Sequence, residues 1–255
     1  MRTSRLRLAL VAFSSLALAC LAAFAEEPSG LRLVLLIGQS NMAGRGKVEP
    51  ADQQTHPRIF MLDKAGAWVP AKDPVHFDKP KVAGVGLCSE FARQLAAQEP
   101  GAKVGLIPCA FGGTSLDQWK PGSALYTNAV ARAKIAQKSG RLVAVLWHQG
   151  EADCSSEKTA SYPARFSAMI AQLRADLGAA DVPVVVGELG RFRPAHLPFN
   201  AMLPKAAAAV PRCACVSAEG LGANSDNLHF SREALIGFGK RYYEAYVGLS
   251  QRPNP

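Results

Sequence analysis

The sequence has no Cys-x-x-Cys pair, no His-x-x-x-His spacing, no Gly-Lys-Ser/Thr phosphate loop and no Gly-x-Gly-x-x-Gly fingerprint. Those absences remove the usual signatures of paired-thiolate zinc sites, zinc-ligand helices, P-loops and dinucleotide folds. There is no internal repeat and no low-complexity tract. After the N-terminal segment no apolar run approaches the ~20 residues of a spanning helix. The formal net charge is +9, but the positive residues are scattered apart from small groups such as Arg191 and Arg193. No basic stripe carries interleaved aromatics, so the charge serves solubility or weak attraction to an acidic polymer as well as it would serve nucleic acid, and no nucleic-acid partner is expected.

At the N-terminus Arg2, Arg5 and Arg7 precede an apolar run from Leu8 to about Leu21, and Ala23-Phe24-Ala25 offers small residues around a cleavage point. This pattern predicts a signal peptide over residues 1–25 and a secreted or periplasmic protein. Residues 26–255 then make a single domain, long enough for a large core. They hold five cysteines, Cys88, Cys109, Cys154, Cys213 and Cys215, an odd number that leaves at least one thiol unpaired in a monomer.

Continuous apolar runs of the kind buried on both faces of a parallel sheet occur at 33–37, 104–107, 142–147 and 182–186. Residues 213–216 are a weaker run, and Ile59 to Leu62 an additional one. Between them lie helical periodicities: Leu87, Phe91 and Leu95; Phe166, Ile170, Leu173 and Leu177; Leu235, Phe238, Tyr242 and Leu249. The alternation predicts an α/β doubly wound parallel sheet with helices on both faces. In such sheets ligands bind outside the carboxyl ends of the strands. Three polar clusters fall at predicted strand ends: Gln39-Ser40-Asn41, Gly112-Gly113-Thr114-Ser115 and His148-Gln149-Gly150-Glu151. A fourth, Asp226-Asn227-Leu228-His229, precedes the last helix.

Each cluster has a chemical reading beside a plainer one. Ser40 at a strand-to-helix junction suits an exposed nucleophile, although Gly-Gln-Ser-Asn-Met is not the Gly-x-Ser-x-Gly elbow, and a helix-capping serine has the same address. His229, three residues after Asp226, suits a base oriented by a carboxylate, or a simple Asx turn. Gly112 and Gly113 suit an oxyanion-binding amide or merely a tight turn. Gln149 suits a side-chain donor to the same oxygen, or a bond to a neighbouring loop. Glu151 and Asp153 form a carboxylate pair better read as structural than as a glycosidase pair. Trp119 could stack on sugar, whereas Trp147 at a strand end reads as core.

Taken together, the blocks Ile37 to Gly46, Gly112 to Ser115 with Trp119, Trp147 to Asp153, and Asp226 to Phe230 resemble, in order, those of the carbohydrate acetylesterases related to sialate O-acetylesterase, a branch of the SGNH hydrolases (carbohydrate esterase family 6 type). The resemblance implies a flavodoxin-like three-layer α/β/α sandwich and an esterase without metal or cofactor. It implies Ser40 as nucleophile, His229 as base and Asp226 as its orienting partner. The oxyanion hole would consist of the Ser40 amide, a Gly112 or Gly113 amide and the Gln149 side chain. Asn41, Arg45, Trp119 and Glu151 would touch an acetylated carbohydrate. Three rivals stand beside this reading: a non-catalytic carbohydrate-binding protein on the same fold, an esterase for non-carbohydrate esters, and a structural envelope protein active on no ester.

Overall fold

Eight residues, Leu31–Gly38, form the central strand β1, and all but Arg32 are buried. In a computed structural model residues 28–251 are described. The predicted signal peptide at 1–25 and the tail from Arg252 lie outside them. The remaining strands are β2 (Ile59–Leu62), β3 (Trp68–Pro70), β4 (Val104–Pro108), β5 (Gly140–His148), β6 (Val184–Gly187) and β7 (Cys213–Val216). The helices are α1 (Ser40–Ala43), α2 (Leu87–Gln98), α3 (Ala124–Ala136), α4 (Ser156–Asp176), α5 (Leu197–Ala208) and α6 (Arg232–Ser250).

The seven strands form one sheet in the order β3-β2-β4-β1-β5-β6-β7. Every pairing is parallel except β2 with β3. Six strands thus form the expected parallel sheet, and β3 adds an antiparallel edge that makes the whole mixed. The cause is a tight turn in which Ala67 N–H donates to the Asp63 carboxylate at 2.8 Å, sending the chain straight back as an edge strand. Trp68, Val69 and Pro70 are half-buried or exposed, so β3 has no apolar run to announce it, and Pro70 is tolerated at an edge. Without this hairpin the order is that of flavodoxin, with its switch point between β1 and β5.

Period-two alternation along β1 divides the core. Leu31, Leu33, Leu35 and Ile37 face one layer with Tyr126 and Ala133 of α3, Phe166 and Ile170 of α4, and Phe199 and Leu203 of α5. Val34 and Leu36 face the other, with Phe91 and Leu95 of α2 and Leu235, Phe238 and Tyr242 of α6. The result is a three-layer α/β/α sandwich with each apolar face covered. No helix among the described residues is long and apolar enough to cross a membrane. The five cysteines of this region are free thiols, and burial pushes Cys109, Cys154, Cys213 and Cys215 up to about 12.

One buried carboxyl leaves a mark on stability. Asp73 accepts the Gly86 amide at 3.3 Å on the α2 side of the sheet, and burial raises its pKa from 3.8 to about 6. The folded state thus holds the proton more tightly than the unfolded chain. Stability falls as pH rises from about 4 to about 6, by ~2–3 kcal/mol, and this component is flat above that window. Urea unfolding across pH 4–7 is expected to lose that downward component in Asp73→Asn; an unchanged slope contradicts the assignment.

Candidate active site

β1 ends at Gly38, where φ is +129° and a side chain would run into the His148 carbonyl, so only glycine fits the close approach. The chain turns there, the Gln39 amide donates to His148 O at 2.9 Å, and Ser40 opens the short helix α1 at the switch point. Opposite it, residues 223–230 fold back on themselves: Asn224 N–H donates to His229 O at 2.7 Å and Asn227 N–H to Asn224 O at 3.0 Å. Asn227 takes φ +52°, a conformation that asparagine tolerates better than most residues.

This loop carries Asp226 and His229 to Ser40. Asp226 Oδ1 accepts the amides of Leu228 at 2.9 Å and His229 at 3.0 Å. Its Oδ2 lies 2.6 Å from His229 Nδ1, and His229 Nε2 lies 2.9 Å from Ser40 Oγ. A carboxylate only accepts, so Nδ1 carries the proton and the Nε2 lone pair faces the hydroxyl. Burial pushes the Asp226 carboxyl up, but the bonds from His229 and Leu228 outweigh it and hold it at about 2. Its stabilising effect is therefore present above its ordinary value of 3.8 and is lost as pH falls through about 2.

Of the two glycines, Gly112 packs against Ser40, and the two amides differ in freedom. A Cβ on Gly112 would lie 3.4 Å from Ser40 Cβ, which places this turn against the nucleophile candidate. The Gly112 amide, however, donates to Asp78 Oδ2 at 2.9 Å. The Gly113 and Ser40 amides are not engaged by any group among the described residues. Gln149 is buried, and its amide nitrogen contacts Asp153 Oδ2 at 2.6 Å, Thr114 O at 3.1 Å and Gln39 Oε1 at 3.3 Å. Its Oε1 accepts from Tyr162 OH at 3.0 Å. Its two N–H bonds face these three acceptors, so the Gln149 side chain braces the loops beside Ser40.

A family model described as carbohydrate esterase, sialic acid-specific acetylesterase matches residues 30–248. The chain belongs to that family. It is 33% identical over 243 residues to a probable carbohydrate esterase of Arabidopsis thaliana, covering 85% of this chain and 90% of that protein. A solved Arabidopsis thaliana structure superposes with a TM-score of 0.78 at 31% identity, over 86% of this chain and 98% of that one. The structure of NanS gives 0.69 at 20% identity, over 88% of this chain and 99% of that one, a likeness of fold. A carbohydrate acetylesterase from Xanthomonas citri gives 0.65 at 21%, over 86% of this chain and 56% of that one, again a likeness of fold. This member of the family is accordingly a carboxylic ester hydrolase on the SGNH fold.

In this carbohydrate esterase the four residues expected to touch substrate are all held by the protein. Trp119 is 1% exposed, packs edge-to-face on Trp147 and donates to Thr114 Oγ1 at 3.0 Å. It supports the glycine turn from beneath, because Thr114 Oγ1 in turn donates to Phe111 O at 2.8 Å. Arg45 pairs with Asp78 at 2.7 Å, both side chains buried, and its carbonyl accepts the Asn224 side chain at 2.8 Å. Asn41 donates to Glu151 Oε1 at 2.6 Å and accepts the Phe230 amide at 3.1 Å. Asn41 and Glu151 thus clamp the His229 loop to β1 and β5. Asn41→Ala leaves a buried amide and a buried carboxylate without these partners, at a cost of about 1–3 kcal/mol for each group. Chemical denaturation should register the loss, and kcat should fall as His229 loosens; unchanged stability and rate would remove the clamp.

Asp78 has no signature in the sequence. It stands in a proline-rich loop between predicted elements, and nothing local ties it to Gly112 or Arg45. Asp153, read as structural, accepts from the Leu116 amide at 2.8 Å as well as from Gln149, joining the second and third blocks.

Proposed function

We propose that the protein removes O-acetyl groups from carbohydrates by a serine mechanism, with Ser40, His229 and Asp226 as its triad. The observation that carries this reading is the continuous hydrogen-bonded chain from Ser40 Oγ through both nitrogens of His229 to Asp226 Oδ2. Ser40 Oγ attacks the acetyl carbonyl carbon while His229 Nε2 takes the hydroxyl proton. The carbonyl oxygen becomes an oxyanion, which the Ser40 and Gly113 amides are left to receive; a donor there contributes about 3 kcal/mol. Collapse expels the sugar oxygen, to which His229 returns the proton, leaving acetyl-Ser40. Water, deprotonated by His229, then attacks the acyl carbon and releases acetate and free Ser40.

Acetylated xylan, acetylated sialic acid and other acetylated glycans are the substrates considered. Export through the N-terminal basic and apolar segment belongs to the same reading and agrees with an extracellular or periplasmic glycan. The test is acetate release by the purified protein from a panel of these glycans beside a small alkyl acetate. Acetate from at least one glycan, with the glycan preferred over the alkyl ester, supports the proposal. Tight glycan binding without acetate release would instead make this a binding protein, and preference for non-carbohydrate esters would remove the glycan.

A further inference from the structure

We propose that Asp78, backed by Arg45, is a positioning residue for acetyl transfer: it fixes the glycine turn that leaves the Gly113 amide to the oxyanion. This rests on the esterase reading above. The proline-rich loop that carries Asp78 reaches the site by pairing with the chain just after Ser40. Gly84 N–H donates to Gly44 O at 3.1 Å, and Gly46 and Val85 exchange amide bonds at 3.1 and 2.9 Å. Gly44 has φ +88°, and a Cβ there would lie 2.6 Å from the Gly84 and Val85 carbonyl oxygens, so only glycine permits this approach. The loop thus delivers Asp78 to the turn after β4, where its Oδ2 accepts the Gly112 amide at 2.9 Å.

That bond completes a set. Phe111 N–H donates to Gly38 O at 2.9 Å, and Phe111 O accepts the Thr114 hydroxyl at 2.8 Å. The Phe111–Gly112 peptide is therefore held at both ends, its oxygen by Thr114 and its N–H by Asp78. A peptide is planar, so these two bonds set its orientation and the start of the step to Gly113, where φ is +83°. A Cβ on Gly112 would lie 2.6 Å from Arg45 Nη2 and 3.4 Å from Ser40 Cβ, so the ion pair and the nucleophile both pack on this glycine. The pair itself has little freedom. The Arg45 and Asp78 side chains are 6% and 1% exposed and 2.7 Å apart, and Arg45 Nη1 also donates to Gly44 O at 2.7 Å. Burial pushes the Asp78 carboxyl up, but the bonds from Arg45 and the Gly112 amide outweigh it and keep it ionised. Arg45 reaches the base as well: its carbonyl accepts the Asn224 side chain, and Asn224 N–H donates to His229 O. One buried ion pair thus ties the glycine turn to the loop that carries His229.

The experiment compares Asp78→Asn with Asp78→Leu in the purified chain. Steady-state kinetics are measured on an activated aryl acetate, together with inhibition by methylboronic acid, whose adduct with a serine oxygen copies the tetrahedral stage of acetyl transfer. Both variants lose the charge. Asparagine keeps an oxygen for the turn, because the Gly112 amide and Arg45 Nη2 both require an acceptor at the Oδ2 position; leucine offers none. Asp78→Leu is expected to lower kcat about 100-fold with KM within about twofold, since a donor misplaced by ~1 Å is felt in both acyl-transfer steps. Boronate inhibition should weaken in parallel, and Asp78→Asn should recover about tenfold or more of each loss. If Asp78→Leu does not fold, the same pair is compared in an Arg45→Met background, which removes the buried cation that either change leaves unpaired. Equal kcat and equal boronate inhibition in the two variants, or a loss in Asp78→Leu carried by KM, overturns the positioning role. With wild type cleaving the aryl acetate, that result defeats the positioning role alone; if wild type releases no acetate from it or from any glycan above, the esterase reading fails and the role with it.

Discussion

Ser40→Ala is expected to reduce kcat for acetate release by roughly 10⁴–10⁶-fold while leaving the fold intact. The size follows from serine hydrolases in general, where loss of the nucleophile removes the covalent route and leaves only the rate from binding and oxyanion stabilisation. The intact fold follows from the geometry here. The Ser40 hydroxyl has one side-chain partner, His229 Nε2 at 2.9 Å, and that nitrogen belongs to a residue held independently by Asp226 and by the Asn224 amide. Removing one oxygen leaves no buried group stranded. The stability of the variant, measured by thermal unfolding, should stay within ~0.5 kcal/mol of wild type. Loss of activity accompanied by unfolding would not count for the mechanism.

Asp226→Asn should lower kcat further than Asp226→Ala, by about 10⁴-fold relative to wild type. An amide can in principle turn either end toward the imidazole, but here the choice is fixed. The Oδ1 position accepts two backbone amides, Leu228 at 2.9 Å and His229 at 3.0 Å, and only an oxygen satisfies both. The NH₂ of asparagine must then take the Oδ2 position, 2.6 Å from Nδ1 in the wild type. A donor facing Nδ1 forces the proton onto Nε2, where it confronts Ser40 and prevents deprotonation. Alanine imposes no tautomer, so it loses orientation and charge but keeps a usable base in part of the population. Comparing kcat of both variants on one ester checks the order; an asparagine variant more active than the alanine variant would show that Asp226 does not set the tautomer.

The fold is legible in the sequence wherever the chain is buried on both sides. β1, β4, β5 and β6 are unbroken apolar runs because helices cover both faces of the sheet, and a short β-type run without polar interruption fits little else. β3 is not legible, because an edge strand of three residues with one proline has no apolar period to detect. The site divides in the same way. Ser40, Asp226 and His229 stand out because strand-end position and a three-residue spacing imply their meeting. The roles of Gln149, Arg45, Asn41 and Trp119 do not, because whether a polar or aromatic side chain faces a ligand or another loop depends on tertiary partners. Asp153 claims Gln149, Asp78 claims Arg45, Glu151 claims Asn41, and Thr114 with Trp147 claims Trp119.

The most direct test of the central claim is to catch the covalent intermediate. Rapid acid quenching of the enzyme during turnover of an activated aryl acetate, followed by peptide mass spectrometry, should find one acetyl group on the peptide containing Ser40 and none in Ser40→Ala. An acetyl group on a different residue, or turnover in wild type that persists unchanged in Ser40→Ala without any acyl-enzyme, would contradict the account.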